Sequence, residues 1–151
     1  RYLNDLPPRG FTPPLRGLHL GVDMGMYTEI YVSVDLKEDT PEFIIDILKA
    51  ICYNGHERLL EGYPSRWEYL FKSGSYYTSN TCVAEITFSP ISGQYSLIGK
   101  GDIKNYEDEI EQFFSFIESY VDTCGVRTFM GYSLYEESVE PILFYAEGGY
   151  I

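Results

Sequence analysis

Period-two hydrophobic alternation and two one-sided amphipathic segments predict an α+β domain, a mostly antiparallel sheet with two helices on one face. Three observations carry this. Residues 27–36 alternate in strand fashion, residues 42–51 and 110–121 hold apolar stripes at helical spacing, and residues 81–100 read as a hairpin. Over residues 26–151 the predicted order is β-α-(β)-β-β-α-β-β. The β-α-β-β-α-β core of that order permits a ferredoxin-like arrangement, with 67–71 and the last strand as additions.

Residues 1–25 stand apart. They hold four of the eight prolines (Pro7, Pro8, Pro13, Pro14) and no periodic apolar pattern. Three Arg against Asp5 and Asp23 give them a net charge of +1, which leaves −13 of the total −12 on the other 126 residues. Paired prolines favour extended backbone. The expectation is a leader, a fused or an expression-derived segment, with the native domain starting at Met26 or Met24. The Pro-x-x-Pro spacing of groove-binding ligand peptides is absent.

In the first predicted strand Ile30, Val32, Val34 and Leu36 point one way, and Tyr31, Ser33 and Asp35 the other. Asp39-Thr40-Pro41-Glu42 starts a helix, with Asp39 and Glu42 as a capping box or Thr40 as cap before Pro41. Phe43, Ile44, Ile47, Leu48 and Ile51 make its stripe, and Asn54-Gly55 ends it. Residues 55–66 read as a loop, and 67–71 as a short strand with Trp67, Tyr69 and Phe71 on one side. Cys82, Ala84, Ile86 and Phe88 then share a strand face, 89–93 turns, and 94–100 returns. Asn105 caps the second helix, Glu107, Asp108 and Glu109 fill its first turn, and Ile110, Phe113, Phe114, Ile117 and Val121 form its stripe. Gly125 closes it, and strands at 126–135 and 141–146 flank a turn at Glu136-Glu137-Ser138.

Composition narrows function. There are 15 Tyr and 9 Phe but one Trp and two His. No run of about 18 apolar residues exists to span a membrane. Cys52, Cys82 and Cys124 are odd in number and widely spaced, which favours buried thiols in a reduced, cytoplasmic setting over a disulfide framework. Metal-ligand spacing is missing, and neither His19 nor His56 has a nucleophile in readable range. Adjacent Glu136 and Glu137 read as solvated turn acids rather than an acid/base pair. Gly99-Lys100-Gly101-Asp102 lacks phosphate-loop spacing and reads as a flexible strand exit. Eight Lys/Arg spread through a −13 domain give no basic stripe for nucleic acid. No catalytic residue, metal or cofactor is expected.

Contact chemistry remains. Residues 104–151 carry ten acids against two basic residues, and tyrosines flank the acidic turn. The expected partner-binding residues are Tyr132, Tyr135, Glu136, Glu137 and Glu140, docking on a basic protein surface. The rival is a small-ligand or enzyme pocket lined by Tyr63, Trp67, Tyr69, Tyr76 and Tyr77. Met26-Tyr27-Thr28-Glu29, Asp39-Thr40-Pro41, Lys104-Asn105-Tyr106, and Gly131-Tyr132 with Tyr135-Glu136-Glu137, Glu140-Pro141 and Tyr145 form a dispersed set. In these the chain resembles a group of short acidic α+β proteins of bacteria and phages with no assigned activity. The resemblance transfers no site residue. By analogy with mobile-element products, it implies an inhibitor of host defence or a toxin-neutralising immunity factor.

Overall fold

The computed structural model describes residues 26–74 and 82–148. The predicted segment at 1–25, with His19, and the pocket candidates Tyr76 and Tyr77 lie outside the described residues. The fold is α+β. Strands β1 (Thr28–Asp35), β2 (Val83–Ser89), β3 (Gln94–Ile103), β4 (Thr128–Tyr135) and β5 (Ile142–Ala146) accompany helices α1 (Glu42–Cys52) and α2 (Glu109–Glu118). The strands form one sheet in the order β2-β3-β1-β4-β5, every neighbouring pair antiparallel. β1 and β2 are therefore parallel and separated by β3, and β3 and β4 are parallel and separated by β1. Each helix bridges one such split pair, a connectivity compatible with the ferredoxin-like arrangement, and β5 adds an edge.

Register sorts the two faces. Ile30 and Val32 of β1 lie opposite Gly101 and Gly99 of β3, and Val34 opposite Leu97, all on the face toward the helices. Tyr31, Ser33 and Asp35 take the other face, as their alternation predicts. The core closes with Ile44, Leu48 and Ile51 of α1 and Ile110, Phe113, Phe114 and Ile117 of α2. Beyond α2 the chain zips onto the end of β1, through a Leu36–Val121 bridge and the Lys37 N–H donating to the Tyr120 carbonyl at 2.8 Å.

Several expectations are corrected. Residues 67–71 are not a strand: a 3-10 turn spans Ser65–Tyr69, and the buried residues Trp67, Leu70 and Phe71 recur at helical rather than strand spacing. A second 3-10 turn, Glu57–Leu60, occupies the predicted loop. Gly99 to Asp102 is no flexible exit, because β3 runs to Ile103. A Cβ on Gly99 would stand 2.6 Å from the Phe71 ring and one on Gly101 2.4 Å from the Leu70 carbonyl oxygen, so absent side chains let the 65–73 segment lie on the sheet. Phe43 is 60% exposed, and Ile45 takes the buried place expected of it. Neither Asp39 nor Thr40 caps α1. Pro41 holds the cap position, and the Thr40 hydroxyl donates to the Lys37 carbonyl at 2.7 Å. Of the cysteines only Cys52 is fully buried; Cys124 is exposed in a left-handed turn, φ 53°.

Candidate functional site

The second helix starts later than expected, and this shapes the site. Glu107 and Asp108 precede it, Asp108 in a left-handed conformation (φ 60°), and Glu109 is its first residue. Asp108, not Asn105, holds the cap position, but the Asn105 side chain still serves the first turn: its Oδ1 accepts from the Ile110 N–H at 2.8 Å, while its Nδ2 donates to Glu111 Oε1 at 2.9 Å. Glu109 is buried. Its carboxylate pairs with Arg66 at 2.7 Å and accepts from the Glu107 N–H at 3.1 Å, and its carbonyl accepts from Trp67 Nε1 at 3.0 Å. The Arg66 guanidinium also lies 5.3 Å from the Tyr106 ring centre, so the 3-10 segment and the α2 entry are tied together. Nothing in the spacing of Arg66 and Glu109 signals this pair.

A cleft of about 290 Å³ opens where the α2 entry meets the end of the sheet. Thr28 and Ser133 form the floor, with Tyr135 and Ile142 beside them on the same sheet face. Asn105, Tyr106 and Glu111 come from the α2 side, Ser138 and Glu140 from the β4–β5 turn, and Met26 from the approach to β1. Among the described residues its carboxylates are Glu111 and Glu140, and no Lys, Arg or His lines it. Burial first, then the Glu137 and Glu136 carboxylates and Tyr106, hold the Tyr135 phenol above its ordinary pKa. That phenol is a neutral donor at neutral pH, and its titration registers the negative field of this end of the molecule.

The predicted partner-binding residues divide. Tyr135 and Glu140 line the cleft, and Glu137 is exposed in the adjoining turn. Glu136 is no solvated turn acid: it is 6% exposed, its carboxylate accepts from the Tyr27 N–H at 3.0 Å, and its own N–H donates to the Tyr27 carbonyl at 3.0 Å. It continues the β1–β4 pairing in side-chain form. Tyr132 lies on the opposite sheet face, stacked on Tyr31 at 5.4 Å with its hydroxyl donating to Glu29.

The rival pocket does not assemble from its described members. Trp67 is 2% exposed and packs against Tyr63, Phe113 and Phe116 as core, while Tyr69 is exposed. Among the described residues no group of three His, Cys, Asp or Glu is arranged to hold a metal, and no helix is long and apolar enough to cross a membrane. Sequence reasoning missed Tyr106, Asn105 and Glu111 as cleft residues. The Lys104-Asn105-Tyr106 stretch marked only a helix start, and its meeting with β4 is a product of the strand order. Comparison with family models, curated proteins and solved structures found no match to the chain.

Proposed function

We propose that this protein is a non-catalytic binding factor, of the inhibitor or immunity type, that docks on a basic protein surface. One observation carries it: a single end of the molecule gathers exposed Tyr106, Tyr135, Val139 and Ile142 with the carboxylates of Glu111, Glu137 and Glu140 around a concave site. Aromatic and apolar contact area ringed by like charge suits a partner of opposite sign. The charges speed encounter and suppress acidic competitors, and the desolvated aromatics slow dissociation.

The test uses the full chain as bait in lysate of its source cell, beside a Glu137→Gln/Glu140→Gln variant and a Tyr135→Ala variant. The expected result is a basic protein enriched at low salt by the wild type, reduced by both variants, and recovered as a defined complex from purified components. Enrichment that is indifferent to both variants overturns the assignment of this face.

A further inference from the structure

We propose that the cleft is a socket for one arginine side chain of the docked partner, an inference that rests on the docking reading above. The floor supplies an observation independent of the acidic rim. Ser133 is 3% exposed and Thr28 7% exposed, both line the cleft, and among the described residues neither hydroxyl makes a hydrogen bond. Two hydroxyls at the floor of one concave site, without a protein partner among the described residues, are placed to exchange water for the donors of a polar ligand.

The other lining groups specify that ligand as a cation. Glu111 gives Oε1 to Asn105, and its second oxygen has no hydrogen bond among the described residues; Glu140 is exposed at the opposite rim. The α2 entry does not favour an anion here, because Asp108, Glu109 and Glu111 already occupy it. Tyr106, whose ring already carries Arg66 at 5.3 Å, and Tyr135 line the cleft, and a planar guanidinium stacks on such rings while presenting five donors. Two hydroxyls and two carboxylates supply acceptors for that fork, more than the three donors of an ammonium use. The cleft volume, about 290 Å³, falls just short of the range for drug-sized ligands, which starts at about 300 Å³, and suits one side chain.

The experiment titrates the full, ¹⁵N-labelled chain with N-acetyl-arginine methylamide and follows amide shifts. The isosteric, uncharged citrulline derivative and the lysine derivative serve as comparators. Saturable shifts are expected at Asn105, Tyr106, Ser133, Tyr135 and Ile142, with the arginine probe binding at least about fivefold more tightly than either comparator. Ser133→Ala should weaken it about tenfold, as loss of a hydrogen bond to a charged group does. Glu140→Gln should weaken it about threefold, as loss of an exposed charge pair does. Tyr106→Ala, at an exposed position, gives a second test if Ser133→Ala folds poorly. Absence of saturable shifts at the cleft, or a citrulline or lysine probe binding equally well, overturns the proposal. The two readings separate cleanly. A silent arginine titration with partner capture still lost in Glu137→Gln/Glu140→Gln removes the socket and leaves the docking face, whereas saturable arginine binding with partner capture indifferent to the variants leaves a guanidinium site but overturns a docked partner as the source of its arginine.

Discussion

Truncating Phe113 to Ala should destabilise the protein by about 3–5 kcal/mol. Phe113 is fully buried on α2, and its ring meets Trp67 at 5.6 Å, Phe71 at 5.7 Å and Phe114 at 6.0 Å, all near edge-to-face. Returning a phenylalanine side chain to water forfeits about 1.5–3 kcal/mol. Aromatic pairs at this geometry add about 0.5–1.5 kcal/mol each, and a cavity remains. The neighbours are poorly placed to fill it, because Trp67 is held by its hydrogen bond to the Glu109 carbonyl and Phe71 is pressed on Gly99. The upper half of the range is therefore expected. Against a typical total of about 5–15 kcal/mol this is a large fraction, and it lowers the melting temperature by roughly 10–20 °C. Urea denaturation followed by circular dichroism measures it, with Phe43→Ala as internal control. Phe43 is exposed, so its truncation should cost no more than about 0.5 kcal/mol. A Phe113→Ala cost below about 1 kcal/mol, or a Phe43→Ala cost as large as that of Phe113→Ala, would refute the assignment of the buried helix faces.

Other perturbations discriminate further. Arg66→Ala leaves the buried Glu109 carboxylate without its cation and should cost about 2–3 kcal/mol in the same assay, below the cost of breaking a fully buried pair because Arg66 is partly open to water. Gly101→Ala drives a methyl against the Leu70 carbonyl and should cost about 1–3 kcal/mol; a neutral result would mean that the 65–73 segment is not seated on β3. Glu136→Ala should cost about 1–3 kcal/mol by stranding the Tyr27 N–H, while Glu137→Gln and Glu140→Gln together should leave the melting temperature nearly unchanged. Burial, opposed by Lys72 and reinforced by Glu85, pushes the Cys52 thiol up from 9.0 to about 12. The folded chain then keeps its proton at pH values where the unfolded thiol ionises. That contribution is complete below pH 9 and lost as pH rises toward 12, at about 1.4 kcal/mol per pH unit. Wild type should therefore lose stability relative to Cys52→Ala across that window, and parallel curves would contradict it.

The two helices, the five long strands and the α+β class were legible in the linear pattern, because one-sided burial imprints a period of two or of 3.6 on hydrophobicity. Val32 and Ile47 face the core for the reason their spacing implies. Positions whose surroundings come from distant segments carried no such imprint. Trp67, Leu70 and Phe71 were too few to separate a 3-10 turn from a strand, and their place over Gly99 and Gly101 depends on how α1 returns the chain to the sheet. Glu136 reads as solvated in any local window. Its burial follows from the antiparallel alignment that brings Tyr27 alongside, 109 residues away. The cleft is wholly of this kind. Thr28, Glu111 and Ser133 are unremarkable in sequence, and only the strand order that places β4 beside β1, with α2 entering above them, turns two hydroxyls and a carboxylate into one concave surface.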